Sequence, residues 1–228
     1  MPYSKIVLAS SSPRRKEMIS WLNIPFEIVP ANIEESYHTN EKAFPYVRRL
    51  AREKAEKTAK KMGYGDRSSS IVLAADTIVL KGDQILGKPK NEADAKCMLV
   101  LLRNTFHQVI TAICLLFPDG RKVEDLCISE VRMRNYSDDE IAEYVHSGDA
   151  FDKAGAYAIQ NGTFNPVCAL TGCYASVMGF PFCHIERNLR KIDGYNWIST
   201  AEICQKHLHY ECPISGKVLK GEEVEIKK

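Results

Sequence analysis

The sequence predicts an α/β protein built on a mixed sheet. Three observations carry this reading: apolar runs of strand length alternate with segments of helical spacing, turn residues punctuate the joins, and the alternation contains no internal repeat. With 228 residues, 45% hydrophobic and 26% charged, the chain can bury a substantial core and has ordinary globular composition. Disordered, collagen-like and membrane classes are set aside on that ground. Composition does not separate one large domain from two small ones.

Residues 6–9 read as a short buried strand, and Ser12-Pro13 as the N-cap and first position of a helix running to about Leu22. A second strand covers residues 26–30. Val47, Leu50, Ala51, Ala55 and Ala59 recur at helical spacing, so residues 44–61 form an amphipathic helix. Residues 63–70 read as a polar loop, and residues 71–75 as an apolar strand that ends on Asp76. Gly82-Asp83 is a hairpin turn between residues 78–80 and 84–86, and residues 91–102 return to helical spacing. Two long strands follow at 107–117 and 123–134. Ser137-Asp138-Asp139-Glu140 is a capping-box pattern that starts another helix. Residues 152–160 lead toward a further strand, residues 174–179 form a short one, and a helix spans about 181–190.

No apolar run approaches the length of a bilayer span, and the apolar stretch at residues 6–9 is too short for a signal peptide. A cytoplasmic protein that does not engage a membrane is expected. The net charge of +2 is too small to imply a polyanion-binding surface, so nucleic acid is not an expected partner. The eight cysteines are scattered; a reducing compartment would keep most of them as thiols.

Ser10-Ser11-Ser12-Pro13-Arg14-Arg15 joins a strand to a helix N-terminus, where free N–H groups and the helix dipole attract anions. Two arginines in a first helical turn oppose that dipole unless something negative lies between them. A phosphate site and a merely capped helix with solvated arginines weigh about equally on these residues alone. Lys54 projects near the inward stripe of its helix, and Lys88 follows the hairpin; each is either a further phosphate ligand or a side chain reaching water. Asp76, at the expected strand end, stands where α/β sheets place ligands, although a turn-capping aspartate would look the same. If Glu34, Glu35 and Asp76 meet, they offer hard oxygens to Mg²⁺ or Mn²⁺. Cleavage between the α and β phosphorus atoms of a triphosphate then needs neutralised charge, a leaving pyrophosphate held in line, and a base for water, the role given to Asp76.

These pieces, in this order, resemble the Maf family of nucleoside triphosphate pyrophosphatases, also associated with septum formation. The resemblance spans about residues 6–190. It is carried by Leu8-Ala9-Ser10-Ser11-Ser12-Pro13-Arg14-Arg15, Ile33-Glu34-Glu35, Leu50-Ala51-Arg52-Glu53-Lys54-Ala55, Ala74-Ala75-Asp76-Thr77, Gly87-Lys88-Pro89 and Asp152-Lys153-Ala154-Gly155-Ala156-Tyr157-Ala158-Ile159-Gln160, with Ser176-Val177-Met178-Gly179-Phe180-Pro181. It implies an elongated mixed-sheet fold of the Maf and ITPase kind, with two lobes and a central cleft. It also implies a divalent metal, Mg²⁺ or Mn²⁺, and a homodimer. The catalytic set it implies is Asp76, Glu35 and Lys54, with Glu35 and Asp76 on the metal and Ser10, Ser12, Arg14, Arg15 and Lys88 on the substrate. The pair Asp76-Thr77 together with Gln160 looks like the branch that acts on dTTP and UTP. The alternatives are the same chemistry on purine or modified nucleotides such as 7-methyl-GTP, and a non-catalytic nucleotide-binding regulator of cell division.

Residues 1–190 are thus expected to form the Maf-like domain and residues 191–228 a C-terminal extension. The chain departs from shorter family members at residues 161–171, expected to reshape the cleft rim, and in that tail. The tail carries Cys204, His207, His209 and Cys212, with Cys173, Cys183 and His184 upstream. One reading is a zinc or iron–sulfur site involving Cys204 and Cys212; the other is buried thiols beside ordinary histidines. Residues 221–228 are left open between a strand and a frayed end.

Overall fold

The computed structural model describes residues 3, 5–191 and 199–224. One seven-stranded sheet organises them, in the order β2-β1-β3-β5-β6-β7 with β4 paired to the side of β3. β1 (Lys5–Leu8) lies between β2 (Phe26–Ile28) and β3 (Ser70–Lys81) and is parallel to both. Parallel neighbours need crossovers, supplied here by α1 (Pro13–Ser20) and then by α2 (Ala43–Lys61) with α3 (Tyr64–Ser69). Beyond β3 every pairing is antiparallel. β4 (Gln84–Leu86) turns back on β3, β5 (Phe106–Leu116) and β6 (Lys122–Met133) form the long centre, and β7 (Val167–Thr171) closes the edge.

The expectation that a strand ends on Asp76 is corrected. β3 runs straight through it, because β5 pairs Asp76 with Ala112 and Thr77 with Thr111 and satisfies that backbone. The opposite edge of β3 is covered by β1 only over Ser70 to Leu73 and by β4 only from Val79 to Lys81. Asp76 therefore sits at a break between two partners, just beyond the carboxyl end of β1. Alternation along β3 sends Val72, Ala74 and Ile78 into the core under α2, and Ile71, Leu73 and Ala75 into the core on the α1 side. By the same period Asp76 faces α2 and Thr77 faces α1.

The second lobe gathers α4 (Glu92–Leu102) and α5 (Asp138–His146) around the buried Leu99, Leu102, Tyr136, Ile141 and Tyr144. The capping box at Ser137 and Glu140 forms as expected. Three local expectations change. Residues 64–69 form α3 where a loop was expected. Residues 174–177 form a one-turn helix, α6 (Tyr174–Val177), because the Ser176 N–H is taken by Cys173 Sγ at 3.4 Å and the Ser176 hydroxyl by the Cys173 carbonyl at 2.8 Å; local bonds of this kind compete with a strand ladder. Residues 161–171 do not reshape the cleft rim. They run to the sheet edge as β7, fastened where Arg134 donates to the Phe164 and Asn165 carbonyls.

α7 (Phe182–Leu189) follows, and the tail adds α8 (Thr200–Leu208) and α9 (Ser215–Lys220). The buried Glu186 carboxylate accepts the Thr200 N–H at 2.9 Å and the Thr200 hydroxyl, anchoring the start of α8. Trp21, at the end of α1, stacks on His207 with 4.6 Å between centroids. Residues 221–224 form no strand, and 225–228 lie outside the described residues.

Candidate active site

The break in β3 opens into a cleft of about 230 Å³ between the lobes, adjoined by a hollow of about 220 Å³. Ser11, Ser12, Arg15, Glu35, Lys54 and Lys88 line both, so the two are one continuous groove. One end is polar, built by the Ser10-Ser11-Ser12 turn, Lys54 and Lys88. The other has apolar walls from Val79, Val109, Tyr157, Val177 and Met178.

At its floor, Lys54 reaches from α2 across the open edge of β3. Its Nζ lies 2.5 Å from Asp76 Oδ1 and 2.6 Å from Glu35 Oε1. Asp76 is only 5% exposed. Burial pushes its carboxyl above the usual range, outweighing the nearby charges of Lys54 and Arg15. Its second oxygen, Oδ2, has no hydrogen bond among the described residues. Glu35 goes the other way: burial raises it, but Lys54, then Lys88 and Arg15, together hold it below the ordinary carboxylate value. The Glu35 loop is tied to α2, where the Tyr46 hydroxyl donates to the Glu35 carbonyl at 3.1 Å and Arg49 donates to the Ser36 carbonyl at 2.8 Å. Arg49 also pairs with Glu41 at 2.6 Å, holding that carboxyl at about 2 chiefly through the side-chain hydrogen bond.

The two arginines of α1 separate in role. Arg15 is buried; its Nε donates to the Gly179 carbonyl at 2.8 Å and its Nη2 to Thr77 Oγ1 at 2.9 Å. Desolvation weakens its hold on its proton, partly countered by Asp76. Gly179 has φ +97°, and a Cβ there would stand 3.1 Å from Thr77 Oγ1 and 3.2 Å from Arg15 Nε, so only glycine lets this turn close on the arginine. Arg14 lines the cleft, and its buried Nε lacks any partner among the described residues. A buried donor without a partner is costly unless a ligand meets it.

Ser10 and Ser12 stand at the polar end. Ser12 makes no side-chain cap to α1, contrary to the expectation, because its own N–H turns back to Ser10 Oγ at 3.2 Å and its hydroxyl is left to the groove. Glu34 is exposed and does not join Glu35 and Asp76. Thr77 lines the cleft, but its hydroxyl is committed: it accepts from Arg15 and meets Thr111 Oγ1 at 2.9 Å, whose own proton goes to the Ser176 carbonyl at 2.7 Å. Gln160 is exposed on a turn and is not among the residues that line the cleft; its neighbour Asn161 is pinned to Asp149 at 3.0 Å. The pair of Thr77 and Gln160 is thus not assembled against the groove as base-reading groups.

Sequence reasoning missed Asp152, Lys153 and Tyr157, all of which line the cleft. Lys153 is buried and bridges Asp149 and Asp152 at 2.7 and 2.5 Å. The signal lay in a lysine inside an otherwise Gly/Ala-rich run, where a buried cation requires partners. No three His, Cys, Asp or Glu side chains are gathered at ligand distance among the described residues. No helix of the described residues is long and apolar enough to cross a membrane.

The chain is similar to known proteins over most of its length. A family model described as Maf-like protein matches residues 5–192. The chain is 46% identical to a dTTP/UTP pyrophosphatase of Hahella chejuensis over 193 residues, covering 85% of this chain and 94% of that protein. It is 43% identical to a dTTP/UTP pyrophosphatase of Acetivibrio thermocellus, with 82% and 94% covered, and 41% identical to one of Citrifermentans bemidjiense, with 84% and 97% covered. α8 and α9 fall beyond the matched residues. On the extent of these matches, the chain belongs to the Maf-like protein family.

Proposed function

We propose that the chain hydrolyses nucleoside triphosphates to the monophosphate and pyrophosphate, with dTTP and UTP as substrates. The observation that carries this reading is a buried aspartate, held with Glu35 on one ammonium, at the foot of a groove lined by Arg14, whose buried Nε has no partner among the described residues. The relatives' names supply the base preference.

The triphosphate lies along the polar end, met by the Ser10 and Ser12 hydroxyls, Arg14 and Lys88, and the nucleoside lies against the apolar walls. Asp76 takes the proton from water as the water oxygen bonds to the α-phosphorus. The bond from that phosphorus to the bridging oxygen breaks, and pyrophosphate departs with its growing charge facing Arg14 and Lys88. Lys54 holds Asp76 and Glu35 in register. Arg15 acts as a positioning residue that fixes the α1 turn to Gly179 and Thr77.

Glu35 and Asp76, brought together by Lys54, are the hard-oxygen side chains that would hold a divalent cation; Mg²⁺ commonly completes such a set with phosphate oxygens and water. When bound, Mg²⁺ or Mn²⁺ neutralises phosphate charge. The resemblance also supports a homodimer, to which the exposed Val100, Leu101 and Phe106 on the second lobe lend apolar surface. The free thiols suit a reducing cytoplasm.

A panel of canonical and modified triphosphates, scored by pyrophosphate release with Mg²⁺ and with Mn²⁺, tests the assignment. Turnover of dTTP and UTP above the purine and 7-methyl-GTP arms is expected. Binding without release from any of them would leave a regulator, and preference for a purine would overturn the substrate.

A further inference from the structure

The catalytic groove uses none of the cysteines, yet four of them meet elsewhere. Cys173 before α6, Cys183 on α7, Cys204 on α8 and Cys212 before α9 line one small hollow, walled also by Tyr174, Phe182 and Tyr210. Two belong to the body and two to the tail. Every cysteine of the chain is a free thiol, so no disulfide accounts for the gathering.

The Cys173 sulfur is already held in a local turn: in Cys173-Tyr174-Ala175-Ser176 the Ser176 N–H is aimed at Cys173 Sγ at 3.4 Å.

Size selects the ligand. The hollow holds about 10 Å³, on the order of one water-sized sphere. A bare ion fits that space, and a cube of irons and sulfides does not. Four cysteine sulfurs are a complete tetrahedral set for zinc.

The tail rests on the body through a small set of buried side chains. α8 and α9 are short, and their shared core with α7 has Cys183, Ala201 and Val218 buried among the described residues, with Ile214, Leu219 and Val224 partly buried against them. Helices of this length do not stand alone in water. The Glu186–Thr200 and Trp21–His207 contacts orient α8, and α9 is met by Arg187, which donates to the Val218 carbonyl at 3.3 Å.

We propose that Cys173, Cys183, Cys204 and Cys212 form a tetrathiolate zinc site that fastens the C-terminal helices to the body. Since no three metal-type side chains yet stand at ligand distance among the described residues, closing the site requires the thiols to turn about χ1 onto the ion. The proposal is independent of what the groove hydrolyses.

Elemental analysis of the full chain, purified without a histidine tag, tests it. One zinc per chain is expected, with the zinc lost in the double variant Cys204→Ser/Cys212→Ser and retained when the exposed Cys97 and Cys168 are changed to serine. Removing zinc from the parent should lower its melting temperature. Cobalt substituted into the parent should give the near-ultraviolet thiolate charge-transfer bands and intense visible bands of a tetrahedral sulfur site. The cobalt spectrum decides even if the double variant fails to fold. Absence of those bands, zinc retained without Cys204 and Cys212, disulfides among the four, or iron with sulfide in place of zinc would each overturn the proposal.

Discussion

Replacing Asp76 with asparagine separates chemistry from binding. The substitution is isosteric, and an amide oxygen can still accept from Lys54, whose Nζ lies 2.5 Å from the carboxylate. The groove should therefore keep its shape while losing its proton acceptor. A positioned general base contributes roughly 10²- to 10⁴-fold, or about 3 to 5 kcal/mol of barrier. kcat should fall by that factor, with KM for dTTP changing by no more than a few-fold, because Arg14, Lys88 and the serine turn are untouched. Steady-state pyrophosphate release across pH is the assay. The parent's rate should rise with pH through an apparent pKa above the ordinary aspartate value, as its burial dictates, and the variant should lose that limb. Stability should move oppositely to activity. A folded-state pKa raised above the unfolded one makes a contribution that is present below the unfolded pKa and lost as pH rises through the folded one. Asp76→Asn should thus gain in melting temperature over the parent as pH rises toward neutrality. A variant that keeps its rate within tenfold of the parent, or an unchanged acidic limb, would refute the assignment of Asp76 as base.

Arg14→Met removes a guanidinium whose buried Nε has no partner among the described residues, so melting temperature without nucleotide should hold or rise. Affinity for dTTP, measured by titration calorimetry, should weaken roughly ten- to hundredfold, the worth of a charged hydrogen bond. Gly179→Ala forces a Cβ against Thr77 and Arg15 at φ +97°; a loss of about 1 to 3 kcal/mol in denaturant unfolding is expected, together with a fall in turnover. Glu41→Gln breaks the pair with Arg49 that ties down the Glu35 loop and should cost about 2 kcal/mol at neutral pH. Because Glu41 is held at about 2 by Arg49, the parent's advantage is present above the ordinary glutamate pKa. It should vanish as pH falls toward 2 in thermal melts.

Local signals in the sequence found the elements that present the site. The apolar spacing of Val47, Leu50, Ala51 and Ala55 placed Lys54 beside the inward stripe of α2, and the structure carries it onto Asp76. The Ser10 to Arg15 segment was legible as a strand-to-helix turn, but not the different surroundings of its two arginines, which depend on Gly179 and Thr77, 164 and 62 positions from Arg15. Asp76 was found by a wrong route. An aspartate after five apolar residues reads as a strand end, and only the pairing with β5, between Asp76 and Ala112, shows it to be mid-strand. Lys153 escaped notice because its burial depends on the fold around it. Gln160 and Thr77 were weighed by residue type, which does not report that one is exposed and the other already bonded to Arg15 and Thr111.

The point of attack carries the whole reading of the groove. Hydrolysis of dTTP in heavy-oxygen water, followed by mass spectrometry of both products, locates it. Label in the monophosphate is the expected result, as the proposed role of Asp76 in activating water toward the α-phosphorus requires. Label in pyrophosphate, or release of orthophosphate as the first product, would contradict it.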